Sequence, residues 1–290
     1  MTARRWAAAV IVLALAGLGA IAAGGGLGGG AAPCAALAQA DEAERTVRFA
    51  VMGHLYPVLR TATFAREVED MKHRGYDAVF LAGDLVLGDD YERDYALLKG
   101  LFAPLPIVAV PGNHDVDSGG WNGGADREAL AAQFERLLNP LHGVRREGDC
   151  LFVWLNTNAE TRPFNVDQQQ SRYLERVLAE DSDARHKFVI VHHRPWAFSD
   201  EDPNPHFKAS DWMERVHPII ERAGVTHVFA GDKDYLITSR AGGVRYLTAG
   251  FPKPGTTREY TYFDVTVRAG AVQVRAVRLF PEDVEDVWGG

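Results

Sequence analysis

Short apolar runs recur along the chain, and they end on a histidine, an aspartate or an asparagine. "TVRFAVMGH" (46–54), "DAVFLAGD" (77–84), "LPIVAVPGN" (105–113), "LFVWLNTN" (151–158), "KFVIVHH" (187–193) and "VTHVFAGD" (225–232) have this form. They are too short for helices and too continuously apolar for half-exposed strands, so they predict strands buried on both faces. Between them lie segments with helical spacing. In 61–76 the apolar positions Phe64, Val68 and Met71 recur about every turn, and Gly75 closes the segment. The same reasoning predicts helices over 90–101, 125–138, 166–181, where Asp167 is the cap, and 209–224, started by Ser210 or Asp211. Alternating strands and helices predict a mostly parallel sheet covered by helices. Beyond residue 232 the helical spacing stops. "YLITSR", "VRYLTAG", "YTYFDVTVRAG" and "AVQVRAVRLF" predict antiparallel strands, with "RAGA" as a hairpin turn. There is no internal repeat or linker, so one domain is expected over about 46–281, followed by an acidic tail at 282–290.

The first forty residues differ in kind. Arg4 and Arg5 precede an uncharged apolar run from Trp6 to Ala23, then a "GGGLGGG" tract. This predicts a signal peptide, or an N-terminal membrane anchor with a Gly-rich linker, and an exported domain that is periplasmic, secreted or held on the outer side of a membrane through residues 6–23. Composition agrees with a globular domain, at 47% hydrophobic and 24% charged residues. Outside the leader the charge is −10, from 29 basic and 39 acidic residues, which argues against nucleic acid as the main partner. Cys34 lies in the leader and Cys150 is alone in the domain, so no disulfide framework is implied and Cys150 reads as a small buried hydrophobe.

The chemistry sits where the apolar runs stop. His54, Asp84, Asn113-His114-Asp115, His192-His193 and Asp232 with Asp234 each follow a predicted strand. In α/β sheets the carboxyl ends of the strands form the ligand crevice, so these clusters should converge. His73, His142, His186, His217 and His227 belong to no such constellation and read as structural. "DVDSGGWNGG" (115–124) and "WAFSDEDPNPHFKASD" (196–211) are loops fit for a substrate rim, with Trp121, Trp196 and His206 as contact candidates.

Gly83-Asp84, "GNHD" at 112–115 and His192-His193, in this order and strand context, resemble three of the five motifs of calcineurin-like metallophosphoesterases. The resemblance covers nearly the whole chain after the leader. It implies an α/β single domain built as a four-layer α/β/β/α sandwich, a two-metal site above the strand ends, and hydrolysis of a phosphate mono- or diester. By motif, Asp84 would bridge two metals, with Asn113 and His192 on the second. His114 would assist the leaving oxygen and Asp115 would orient it. His193 and Arg194 are candidate substrate contacts.

Two motifs depart from the family. Asp-x-His at the end of the first strand is here His54-Leu55-Tyr56, and Gly-His-x-His is Gly231-Asp232-Lys233-Asp234. The second metal would then have Asp84, Asn113, His192 and Asp232, an oxygen-rich set. The first would have His54, Asp84, Asp234 and Tyr56, and a phenol ligates well only as phenolate. Asp and His have in effect exchanged places between the two motifs. The alternative is an ion pair between His54 and Asp234 in place of that metal. The expected cofactor is therefore one or two Mn, Fe or Zn ions, or none if the ion pair stands in for them. The expected function is an exported metal-dependent phosphoesterase acting on a small-molecule phosphate ester. The alternatives are an inactive member of the fold serving as a binding or scaffold module in the cell envelope, and a hydrolase using the same crevice for another substrate.

Overall fold

In the first strand, β1 (Val47–Met52), alternate side chains enter two different cores. A computed structural model describes residues 45–87, 90–116, 126–158, 166–194, 211–232, 236–250 and 259–281. Phe49 and Val51 of β1 face a second sheet, where the Phe49 ring lies 4.8 Å from Phe152 and 4.9 Å from Phe188. Ala50 and Met52 face helices, packed with Phe64, Val68 and Phe102. Burial on both faces is why the run is continuously apolar.

The first sheet has the order β11-β10-β1-β2-β3 and the second β4-β5-β6-β7-β9-β8. In the first, β1, β2 (Ala78–Ala82) and β3 (Ile107–Val110) are parallel. Helices α1 (Ala62–Lys72), α2 (Tyr91–Phe102) and α4 (Arg127–Leu137) cover its outer face. A short helical turn, α3 (Asn113–Val116), follows β3. In the second sheet β5 (Cys150–Trp154), β6 (His186–Val191) and β7 (Val225–Ala230) are parallel. Helices α5 (Gln168–Glu180) and α7 (His217–Arg222) cover its outer face. The two inner faces meet in a phenylalanine-rich core that also buries Cys150, whose thiol burial pushes up to about 12. The result is the single-domain α/β/β/α sandwich.

Capping follows the sequence. Asp167 accepts the Gln170 N–H at 2.7 Å and Thr61 accepts that of Phe64 at 3.2 Å. The 209–224 segment is not one helix. It divides into α6 (Trp212–Arg215) and α7, because Pro218 at the start of α7 has no N–H to continue the ladder from α6. Strand β4 (Gly143–Glu147) has no apolar signal. It is an edge strand: Arg146 faces solvent while Arg145 turns the other way and donates to the Asp77 carbonyl before β2, and such edges are kept polar.

The last strands need one correction. β8 (Ile237–Ala241) takes the outer edge, and β9 (Val244–Thr248) turns back into the slot beside β7, parallel to it and antiparallel only to β8. β10 (Tyr260–Arg268) then joins the other sheet antiparallel to β1, and β11 (Ala271–Leu279) pairs with β10. Their turn has positive φ at both Ala269 (49°) and Gly270 (78°), as a tight hairpin requires. Among the described residues no helix is long and apolar enough to cross a membrane. The leader, the acidic tail, Trp121, Trp196 and His206 lie outside the described residues.

His227 illustrates a structural histidine. It is buried in β7, nearly coplanar with Phe229 at 6.0 Å. Burial, helped by Arg245, His186 and Arg240, lowers its pKa to about 4. The unfolded chain takes the proton near 6.5, so His227 contributes stability that is present above that pH and lost as pH falls toward 4. The difference corresponds to about 3 kcal/mol. In urea titrations at neutral pH and at about pH 4.5, His227→Phe should lose less stability on acidification than wild type, by a margin of that order. Equal losses in both proteins would refute this.

Candidate metal centre

The site is built from strained loops at strand ends. After β2, Gly83 has φ 83° and Asp84 φ 53°, and after β1, His54 has φ 54°. Left-handed backbone at a non-glycine residue costs on the order of 1–3 kcal/mol and needs compensation. The two loops brace each other, with His54 N–H on Gly83 O at 2.8 Å and Leu55 N–H on Asp84 O at 2.7 Å. Asp115 supplies more. Its carboxylate accepts the N–H groups of Asp84 (2.9 Å), Leu85 (3.1 Å) and Gly112 (2.8 Å), and the Tyr95 hydroxyl at 3.3 Å. Hydrogen bonds contribute about 0.5–1.5 kcal/mol each, so these four together offset strain of that order. This corrects the expected role of Asp115. Its oxygens are taken by backbone, so it fixes the Asp84 loop and does not orient the His114 ring.

The carboxylate held in this way faces two ways. Asp84 Oδ1 lies 3.3 Å from His192 Nε2, and Oδ2 lies 3.2 Å from His54 Nδ1 and 4.0 Å from His114 Nε2. Asn113 Oδ1 is 3.2 Å from His192 Nε2 and 3.0 Å from His193 Nε2. Asp232 Oδ1 is 4.0 Å from His192 Nε2. Potential ligand atoms of His54, Asp84 and Asp232, all buried, lie within 4.8 Å of one another. The four residues expected on the second metal therefore converge, and His54 faces the other oxygen of the shared carboxylate. Asp234, and with it the His54–Asp234 ion pair, lies outside the described residues.

His192 tests whether this arrangement fits a cation. Its Nδ1 lies 2.9 Å from the Ala82 carbonyl, which can only accept, so Nδ1 carries a hydrogen. In the neutral ring Nε2 is then a lone pair facing oxygens of Asn113, Asp84 and Asp232. Buried acceptors aimed at one another are unfavourable unless a cation or proton lies between them. Burial works against a proton on His192, but Asp84 and Asp232 outweigh it and raise its pKa. Burial also opposes the charges of Asp84 and Asp232. The nearby histidines, His192 foremost, nevertheless hold both carboxyls below their ordinary range. Two carboxylates, a carboxamide oxygen and an imidazole nitrogen fit a divalent ion, and this oxygen-rich set suits Mn or Mg.

Tyr56 belongs to the site as well. Its buried ring lies 4.7 Å from that of His54 and 5.1 Å from that of His114. Burial first, then the charges of Asp84 and Asp232, push its phenol up. His114 is nearly buried, and its carbonyl accepts the Tyr91 hydroxyl at 2.8 Å. Arg194 is buried beside His193. Sequence reasoning missed Tyr91, Tyr95 and Thr157. The i, i+4 spacing of the two tyrosines on α2 was the available signal, since it puts both on one face toward α3. Thr157 lies 2.7 Å from His193 Nδ1, and no motif marked it.

This geometry coincides with what sequence comparison finds. The profile of the calcineurin-like phosphoesterase family matches residues 48–233. The chain belongs to that family. No curated protein sequence matches it. Among solved structures it resembles a purple acid phosphatase from yellow lupin (Lupinus luteus) seeds, with TM-score 0.60 and 14% identity over 83% of this chain and 52% of that one. It thus spans about half of that enzyme's length. It also resembles GAP50, the anchor in the inner membrane complex of Plasmodium, with TM-score 0.53 and 10% identity over 83% and 87% of the two chains. A third is TT1561 of Thermus thermophilus, with TM-score 0.52 and 18% identity over 79% and 98%. At these identities the likeness is one of fold.

Gly83 tests how tightly the site is built. A Cβ there would lie 2.3 Å from His192 Nδ1, and φ is 83°. Gly83→Ala should therefore destabilise the domain by about 3 kcal/mol in chemical denaturation, through strain and overpacking together. A loss below about 1 kcal/mol would mean that the loop relaxes freely.

Proposed function

We propose that this chain is an exported, metal-dependent phosphoesterase hydrolysing a phosphate mono- or diester. The carrying observation is His192 Nε2, held toward the oxygens of Asp84, Asn113 and Asp232 by the other ring nitrogen on Ala82 O. Such a cluster is best satisfied by a cation. Family membership supports a phosphoesterase in general, and the leader sequence supports export.

Asp84, Asn113, His192 and Asp232 would hold one ion, and His54 with Asp84 and Asp232 would face a second. Metal bound there would supply the Lewis acidity that activates water and polarises a phosphoryl oxygen. The remaining work falls to this chain's own residues. As the phosphorus–oxygen ester bond breaks, the leaving oxygen needs a proton, and His114 gives it. Its Nε2 points to within 4.0 Å of Asp84 Oδ2, so it borders the crevice without being tied to Asp115. The Tyr91 hydroxyl anchors the turn that carries it. Arg194, buried just after β6, is the candidate substrate contact that follows the ligand His192 in the chain.

The replaced histidines of the fifth motif favour a second reading, in which the fold serves only as a binding module. Metal content of the purified protein, with hydrolysis of an aryl phosphate and a diester in added Mn, Zn or Fe, decides between them. The phosphoesterase reading expects bound metal, a kcat about 10²–10⁴-fold lower in His114→Ala, and loss of metal in Asp84→Asn. Metal-free protein with no His114-dependent hydrolysis would leave the binding module standing.

A further inference from the structure

We propose that Thr157 is a positioning residue: its hydroxyl fixes the tautomer of His193, and His193 in turn holds the Asn113 carboxamide oxygen toward the metal position. Thr157 stands just beyond β5 and is fully buried. Its Oγ lies 2.7 Å from His193 Nδ1 and accepts the His193 backbone N–H at 3.3 Å. The other ring nitrogen, Nε2, is 3.0 Å from Asn113 Oδ1.

Donors and acceptors balance in one way. If Nδ1 carried the hydrogen, the hydroxyl would accept twice and its own hydrogen would have no acceptor among the described residues. Nε2 would then set a lone pair against the Asn113 oxygen. A doubly protonated ring leaves the hydroxyl hydrogen stranded in the same manner. With the hydrogen on Nε2 alone, the Thr157 hydroxyl donates to Nδ1 and Nε2–H donates to Asn113 Oδ1, so both faults disappear.

The consequence falls on Asn113. Its oxygen has two lone pairs, and one is taken by His193. The other remains directed to where His192 Nε2 lies 3.2 Å away. A flipped carboxamide would put its NH₂ against the His193 N–H, so the flip is disfavoured. His193, expected as a substrate contact, is in this reading a support for a metal ligand. The Thr157 hydroxyl supports it from behind. Partners of this kind orient ligating groups, and their removal typically weakens metal affinity about 10–100-fold.

The tautomer stands on geometry alone, while the effect on affinity rests on the metal-dependent reading above, and the two are measured separately. Metal-free protein labelled with 15N-histidine is examined by long-range 15N–1H correlation in mildly alkaline buffer. The His193 signal is identified by its loss in His193→Gln. Wild type and Thr157→Ser should show the Nε2–H pattern, and Thr157→Val should lose it. Titration with Mn2+ alone should give at least a tenfold weaker Kd for Thr157→Val and a change within about threefold for Thr157→Ser. An Nδ1–H pattern in wild type, or an unchanged Nε2–H pattern in Thr157→Val, overturns the proposal. So does an unchanged Mn2+ affinity in Thr157→Val. Wild-type protein that shows Nε2–H but binds no Mn2+ sinks the phosphoesterase reading and leaves the tautomer assignment supported.

Discussion

A buried negative charge on Asp84 is the constraint around which the rest is arranged. The carboxylate is almost inaccessible to water, and burial alone would neutralise it. It stays charged because His192, His54 and His114 surround it on strand ends from both sheets. Those histidines in turn have positions only because the two sheets meet at their carboxyl ends. Gly53 and Gly231, after β1 and β7, come so close that a Cβ on Gly53 would lie 2.4 Å from Gly231 Cα. The sandwich and the site are therefore one problem. Sheets that met less closely would leave the carboxylate without His192, its partner from the second sheet.

The loops around Asp84 show how a fold pays for such a centre. Two residues in left-handed backbone and a glycine crowded by His192 are unfavourable locally. Asp115 offsets them through backbone N–H groups, yet it is a second buried acid close to the first. Burial and the charge of Asp84 push Asp115 up to about 7, against the donors that favour its charge. The two carboxylates thus have opposite environments within one loop pair. Asp84 is surrounded by groups that carry or accept positive charge and faces the crevice, whereas Asp115 is surrounded by amides and faces the scaffold.

Much of the layer structure was legible because doubly buried strands leave an unmistakable record. β1, β2, β3 and β7 lie within the apolar runs that predict them, β5 and β6 begin one residue before theirs, and Asp167 and Thr61 cap where their residue types suggest. The misses have physical reasons. β4 lies on an edge, where polar residues are preferred, so no apolar pattern marks it. The break between α6 and α7 follows from Pro218, whose missing N–H outweighs the helical spacing around it. β9 reads as antiparallel because it follows β8 in a hairpin. Its parallel partner β7 is chosen by the vacant slot in the sheet, which no local sequence encodes.

By itself the sequence determined the alternation of strands and helices, the placing of His54, Asp84, Asn113, His192 and Asp232 at strand ends, and the departures of the first and fifth motifs. The first two follow from periodicity and residue type, which are local, and the departures from comparison with the motifs of the family it resembles. Only the tertiary structure decided that Asp84 turns one oxygen to His192 and the other to His54. It also decided that Asp115 serves the backbone and that Thr157 stands behind His193. Each of these depends on directions in space between groups far apart in the chain. A residue's identity says what it can donate or accept, and only packing says to whom.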